Sequence, residues 1–417
     1  MTASVSDERS PLAAHTTASP DYANPEPWSN ALESDHVQYL PIQFGVEWRT
    51  YWRIWIVNVG LSILSLGIYS AWAKVRSKRY FYGNIAIQGS SFEYHGKPLA
   101  ILRGRLIAAG LFAIWLVCTQ IGPIWIGAAI LVFLLILPWL VVKAAMFRAH
   151  NSSWRGLRFG FDGKTASAFL CYTLPWLIIA SLLGPTLWWS LDNSRTGAIA
   201  LMMALFLSYL SYPLILTAQK RFVINHHRFG GTQFSFSGLG STLLGIYFLT
   251  FLIFIPLQYL GQKMDTWVEW SALQALPLLM QIFPVSWLVT ETGKILVLLV
   301  LSPIVLLASA PLMFGLGFLR GRSMVWQWDN TRMGAHAFRC NLNPWVMALF
   351  YFRNTLTIAI SLGLLIPWAV TRTARLRAES LTLVCIGSLD DLVAQASDAS
   401  SAVGDEVGEF MGLDVGL

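Results

Sequence analysis

Eight times between residues 51 and 368 the chain stays apolar for long enough to cross a lipid bilayer: at 51–72, 105–121, 123–145, 168–190, 196–217, 240–260, 295–318 and 345–368. A helix needs about 20 such residues to span the hydrocarbon core, so this recurrence limits the chain to a polytopic membrane architecture. Composition agrees, with 12% charged residues in a chain of 417, 55% hydrophobic residues and a mean hydropathy of +0.55. A soluble domain would carry about 25% charged residues. The 19 Trp, 24 Phe and 13 Tyr supply anchors for two membrane–water interfaces. The expected fold class is an all-α polytopic membrane protein with about 8 transmembrane helices and repeated short cytoplasmic β-hairpins between helix pairs.

Residues 1–37 are rich in Ser, Thr, Ala, Pro and acidic groups and lack the pattern of a signal peptide, so they read as a disordered tail. A membrane domain at 38–387 follows, then a disordered acidic tail at 388–417. The four cysteines, Cys118, Cys171, Cys340 and Cys385, are widely separated and read as free thiols.

The polar segments between apolar stretches repeat one another. Gly89, Phe92, Tyr94 and Gly96 recur as Gly156, Phe159, Phe161 and Gly163, and again as Gly231, Phe234, Phe236 and Gly238. Asn84 and Asn151 stand five residues before the leading Gly, and Asn225 stands five before Gly230. A copy around Asn330, Gly334 and Phe338 is degenerate. Asn and Gly supply a left-handed turn, and aromatics at i and i+2 share one strand face, so the expected elements are hairpins at 80–96, 147–163, 221–238 and 322–341. A second repeat relates the two ends, 51–80 and 347–376. A shift of 296 aligns Asn58, Ser65, Leu66, Gly67, Trp72, Ala73, Arg76 and Arg79 with identical residues at Asn354 through Arg375.

The segment IWIVNVGLSILSLGIYSAWAKVRSKRYFYGNIAIQGSSFEYHG, Ile54 to Gly96, resembles the signature of the YjgN-like family of bacterial inner-membrane proteins, a family of unknown function. The resemblance is specific over 40–165 and extends through the hairpins to about residue 390. It implies a multi-pass protein of the bacterial cytoplasmic membrane and no particular activity.

Because two apolar spans separate successive hairpins, all four should face one side. That side carries nineteen Lys and Arg against three on the other, which puts the hairpins in the cytoplasm. Ser271 to Thr290 is uncharged, but Pro277 and Pro284 favour an interfacial or re-entrant element there over another crossing. For the end units, single crossings would make them an inverted repeat of the kind found in transporters. Re-entrant helical pairs turning near Asn58-Val59-Gly60 would keep both ends inside. Length leans toward single crossings, since halves of about 12 residues rise only about 18 Å.

The candidate permeation or binding residues are Asn58, Asn354, Arg353, Ser65 and Ser361, with Ser62 beside them, the most polar groups within the apolar spans. The plainer reading has these groups bond neighbouring helices while Arg353 reaches to the interface. The candidate lipid-binding residues are Lys74, Arg76, Lys78 and Arg79, a cluster suited to anionic headgroups or simply to setting topology. His95, His150, His226, His227 and His336 share the hairpin side without metal-ligand spacing. No phosphate-binding loop, zinc-protease helix or nucleophile elbow occurs, so no enzyme, metal or cofactor is expected. The expected partner is the bilayer, including anionic lipids. Nucleic acid is not, because the basic residues are scattered rather than striped. Two functions remain: a transporter or channel with Asn58 and Asn354 lining its path, or a non-enzymatic scaffold that binds anionic lipid or a partner protein through its basic hairpins.

Overall fold

The computed structural model describes residues 37–191, 195–282 and 309–388, together with 390, 393 and 394. The expected tails at 1–37 and 388–417, most of the stretch at 295–318 and the end of 271–290 lie wholly or largely outside the described residues.

The fold is not all-α. Ten short strands close into an antiparallel barrel in the order β1-β10-β9-β8-β7-β6-β5-β4-β3-β2. The strands are β1 (Val37–Phe44), β2 (Ile85–Ile87), β3 (Ser90–Tyr94), β4 (Ser152–Trp154), β5 (Leu157–Phe161), β6 (His227–Phe229), β7 (Thr232–Phe236), β8 (Thr331–Met333), β9 (His336–Cys340) and β10 (Leu381–Ile386). Between them run the helices α1 (Trp48–Leu64), α2 (Ser70–Gly83), α3 (Pro98–Ile121), α4 (Pro123–His150), α5 (Thr165–Tyr172), α6 (Leu174–Leu191), α7 (Arg195–Asn225), α8 (Gly240–Ile282), α9 (Ala310–Asp329), α10 (Pro344–Ile360) and α11 (Ile366–Glu379). The plan is strand, helical excursion, short strand, traversed five times. Four hairpins join successive traversals, and β1 and β10, from opposite ends of the chain, pair to complete the circle.

The barrel closes because each traversal contributes one cross-strand apolar pair to its bore: Ile42–Ile87, Phe92–Trp154, Phe159–Phe229, Phe234–Met333 and Phe338–Leu383. All ten side chains belong to one cluster, with Phe229 1% and Leu383 2% exposed. Such cross-strand pairs are the unit of sheet stability, and closure removes the edges that short strands would otherwise expose. The bore is therefore packed shut.

Five equivalent capping bonds fix where helix gives way to strand. Asn84, Asn151 and Asn330 each donate a side-chain N–H to the carbonyl four residues back, at 2.7, 2.7 and 2.8 Å. His226 Nδ1 donates to Phe222 O at 2.7 Å, and the Ser380 hydroxyl donates to Leu376 O. In the third hairpin the capping position thus belongs to His226, not Asn225. The carbonyls of these five residues accept from Gly45, His95, Asp162, Ser237 and Asn341, 2.7–3.1 Å, which ties each traversal's ends together.

The hairpin turns come in two forms. Gln88 and Gly89 (φ 47° and 73°) and Arg155 and Gly156 (49° and 78°) are left-handed at both central residues. In the last two hairpins only the first central residue, Gly230 (55°) or Gly334 (58°), is left-handed, so Ala335 is tolerated after it. The fourth hairpin, degenerate in sequence, is complete in structure. Its Cys340 and Leu342 stand where the others place an aromatic and a glycine, and both are 5% exposed in one cluster.

Among the described residues four helices are long and apolar enough to cross a membrane: Pro98–Ile121, Pro123–His150, the nearly continuous Thr165–Leu191 and Arg195–Asn225. Within α4, Pro138 leaves the Leu134 carbonyl without its helical donor, and the Thr173 hydroxyl supplies one at 2.6 Å. The terminal stretches do not cross as single helices. Residues 51–72 break at 65–69 and 345–368 break at 361–365, giving α1–α2 and α10–α11 as two helical hairpins. Left-handed Leu66 (φ 51°) with Gly67 (90°), and Leu362 (50°) with Gly363 (86°), make the reversals. The count of about 8 spans and the inverted-repeat reading are overturned: the two hairpins occupy equivalent, like-directed positions in the ring. The turn lies after Ser65, not at Asn58-Val59-Gly60.

Candidate functional site

Asn58 and Asn354 do the same work in their respective hairpins. Asn58 Nδ2 reaches Ala73 O and Ser77 Oγ, both at 3.4 Å, and Asn354 Nδ2 donates to Thr373 Oγ1 at 2.8 Å. Each amide bridges the two helices of its own pair, so the two asparagines are not brought together. Their Oδ1 atoms are both buried without a hydrogen-bond partner, in residues 5% and 8% exposed. Ser65 and Ser361 are turn residues. Ser65 Oγ accepts from Tyr69 N at 2.8 Å, and Ser361 Oγ accepts from Leu365 N at 3.2 Å. Arg353 is exposed on α10.

A cavity of about 440 Å³ lies between α1 and α2. Its lining surface is mostly apolar, with Trp55, Val59 and Ile63 of α1, and Asn58 and Ser62 of α1 and Ser70, Lys74 and Ser77 of α2 contribute the polar groups. Arg105 of α3 donates to Ser70 Oγ at its upper end. A second cavity of about 250 Å³ lies where the first and last traversals meet, lined by Trp48, Trp368, Thr371, Arg372 and Arg375. There Arg372 stacks over Phe350 at 4.3 Å and Trp368 at 4.9 Å. Arg375 donates to Val46 O at 3.5 Å.

Arg76, Lys78 and Arg79 of the basic cluster lie in the barrel-side part of α2, and Lys74 lies nearer the reversal. Lys78 Nζ stands 4.6 Å over the Tyr94 ring, and the buried Tyr94 hydroxyl has no partner. Burial, then the charges of Lys74 and Arg148, lower the Lys78 pKa from the ordinary lysine value. Among the described residues no carboxylate forms an ion pair with Lys74, Arg76, Lys78, Arg79 or Arg148. Cations gathered without a counter-charge form an anion-attracting surface. The same zone of the other second helices carries Lys143 and Arg148 (α4), Lys220 and Arg221 (α7), Arg320 and Arg322 (α9), and Arg372, Arg375 and Arg377 (α11). Sequence reasoning had singled out only the α2 group. The recurrence was visible as two or more cations within ten residues before every cap, a pattern that emerges only once the caps are aligned.

The histidines disperse. His95 Nε2 bonds Ser153 Oγ at 2.6 Å and pairs with Glu93 at 3.4 Å, His150 meets Arg158 at 3.1 Å, His226 and His227 bond helix carbonyls, and His336 Nδ1 accepts from Ile386 N at 3.2 Å.

Comparison with known proteins agrees with a membrane assignment and leaves activity open. The chain is 29% identical over 156 residues to the inner membrane protein YjgN of Salmonella typhimurium, covering 37% of this chain and 40% of that one. It is 32% identical over 118 residues to YjgN of Escherichia coli K12, covering 27% and 28%. The matched stretches thus span less than half of either relative. No solved structure matches. The family model for DUF898, described as bacterial proteins of unknown function, matches residues 39–410, and the chain belongs to that family.

Proposed function

We propose that this is a non-enzymatic, multi-pass inner-membrane protein that engages anionic phospholipid at the cytoplasmic face, where its helices meet the barrel. The observation that carries the reading is the uncompensated cluster Lys78, Arg79 and Arg148, beside a buried Tyr94 hydroxyl that lacks a partner. Cations near the membrane surface attract anionic headgroups at about 1 kcal/mol each. The excess of nineteen cations over three favours a cytoplasmic barrel. Since β1 and β10 are neighbours in that barrel, the chain enters and leaves it on the same side.

The scaffold reading stands ahead of an aqueous channel on two observations. The bore is filled by ten apolar side chains. The second is that α4 has no charged or hydroxyl side chain from Pro123 to Val142, and Ser181, Thr186 and Ser190 of α6 bond carbonyls of their own helix.

The test is native mass spectrometry of purified protein titrated with phosphatidylglycerol or phosphatidylcholine. Selective retention of phosphatidylglycerol, reduced by salt and by Arg76→Gln/Lys78→Gln/Arg79→Gln, supports the reading. Equal retention of both lipids, indifferent to salt and to the substitutions, rules it out.

A further inference from the structure

The helical hairpins at the two ends of the chain are much shorter than the membrane-length helices. From the barrel rim, α2 and α11, with 14 residues each, rise about 21 Å. By contrast α4 and α7, with 28 and 31 residues, rise about 42 and 46 Å. With the basic foot of α2 at headgroup level, a turn near Gly67 falls about 15 Å deeper, at the middle of a core about 30 Å thick. The tips are bare and apolar. Ile63, Leu64 and Leu66 are 70%, 81% and 95% exposed, and Ile360 and Leu362 are 78% and 61% exposed.

The leucines at the reversals are the telling residues. Leu66 and Leu362 are left-handed, a conformation that suits Gly or Asn and disfavours a branched side chain. Being exposed, they gain little inside the fold to offset that strain, and the same choice is made twice. A leucine that touches lipid there has a reason to be leucine.

The two short hairpins are also neighbours. Trp52 Nε1 donates to Leu364 O at 3.1 Å, and Arg375 reaches both Val46 O and the Phe44 ring, 5.7 Å away. Side by side, with their basic feet at headgroup level, the two hairpins have their turns near mid-bilayer. Along the first hairpin runs the cavity of about 440 Å³, mostly apolar in lining and interrupted by Asn58, Ser62, Ser70, Lys74 and Ser77. Asn58, 5% exposed, lines it with a partnerless Oδ1, Lys74 stands about one helical turn from the tip, and Arg105 is hydrogen-bonded to Ser70 at the tip itself. Cations and an orphaned amide oxygen are costly at that depth unless they meet water or a phosphate.

We propose that the paired short hairpins form a seam through which phospholipids exchange leaflets, the headgroup passing the polar groups of the α1–α2 cavity while the acyl chains stay against Trp55, Val59 and Ile63. The occupant is a phospholipid because the lining offers both chemistries it needs, Lys74, the hydroxyls and the nearby Arg105 for a phosphate and the larger apolar surface for a hydrocarbon chain. No bond is made or broken and no energy source is required. Exchange is equilibrative and does not depend on the anionic selectivity proposed above.

The experiment reconstitutes the purified full chain into phosphatidylcholine vesicles containing a trace of acyl-labelled fluorescent phosphatidylcholine and adds dithionite, which bleaches only accessible label. The expected result is bleaching beyond the outer-leaflet share, with a lumenal dye left untouched. Exchange should be several-fold slower in Asn58→Leu/Lys74→Leu and in Leu66→Gly, a variant that relieves backbone strain and therefore retains the fold. Bleaching that stops at the protein-free plateau, or a Leu66→Gly variant as fast as the parent, overturns the proposal. So does loss of the lumenal dye. Because the probe lipid is zwitterionic, failure here leaves phosphatidylglycerol binding standing, and failure there leaves exchange standing.

Discussion

Substituting Gly238 by Leu should destabilise the protein, and substituting Phe236 by Cys in the same chain should recover part of the loss. A Cβ at Gly238 would lie 2.3 Å from Phe236 Cζ and 2.9 Å from Trp326 Cζ2, so the Phe236 ring, 5.1 Å from Trp326 and nearly perpendicular to it, must move. Overpacking of this kind costs about 1–3 kcal/mol. Phe236→Cys alone vacates most of a buried ring, for which Phe→Ala losses of about 3–5 kcal/mol set the upper scale. Independent effects would therefore total about 4–8 kcal/mol. The last hairpin already carries the alternative filling, with Cys340 and Leu342 both buried. The new leucine should then occupy the space the ring leaves, giving a favourable coupling of about 1–3 kcal/mol. Thermal unfolding in detergent, followed by near-ultraviolet circular dichroism on the four members of the cycle, reads this coupling. Additivity within about 0.5 kcal/mol would refute the reasoning that aromatic and glycine are two halves of one packing unit.

Phe229→Ala, which removes a ring only 1% exposed from the bore, should cost about 3–5 kcal/mol, and a change in melting temperature no larger than that of a control such as Arg332→Gln would contradict the packed bore. Burial lowers the pKa of His227 and of His336, whose Nδ1 must be unprotonated to accept from Ile386 N. A depressed histidine pKa lets the unfolded chain bind more protons below about pH 6.5, so stability should be full above that value and decline as pH falls through it. His336→Gln should flatten the decline, as melting curves between about pH 7.5 and about pH 5.5 would reveal. Burial pushes the Cys340 thiol up to about 11, and Cys385 is fully buried, so both should resist maleimide until the protein is denatured. Rapid labelling of either in the folded protein would show that the barrel opens.

The hairpins were legible because their information is local. A turn glycine, an aromatic two residues before another and a closing glycine lie within eight residues, and period two puts both rings on one face. Barrel closure was not legible, since β1 and β10 pair across more than three hundred residues and neither carries the hairpin signature. The alternation in Leu381-Thr382-Leu383-Val384-Cys385 was the available signal. The terminal hairpins were misread as single spans for a plain reason. Their reversals, Ser65-Leu66-Gly67-Ile68-Tyr69 and Ser361-Leu362-Gly363-Leu364-Leu365, are themselves apolar, and hydropathy does not register a turn made of membrane-compatible residues. Asn58 and Asn354 stand out in sequence as matching polar positions, but sequence cannot tell an amide that spans its own hairpin from one that faces its counterpart. Neither Arg105 nor Tyr94 stands out in sequence as a site residue, because each gains its significance from a neighbour on another traversal: Ser70 for the first, Lys78 for the second.

The central claim is that the terminal hairpins turn back inside the bilayer. A spin label in place of Leu66, in a Cys-free chain reconstituted into lipid, reports its depth through relaxation by oxygen, which concentrates at mid-bilayer, and by a water-soluble nickel chelate. The account predicts near-maximal oxygen access with almost no nickel access, and the same at Leu362. High nickel access at either position, placing that turn in water, would contradict it.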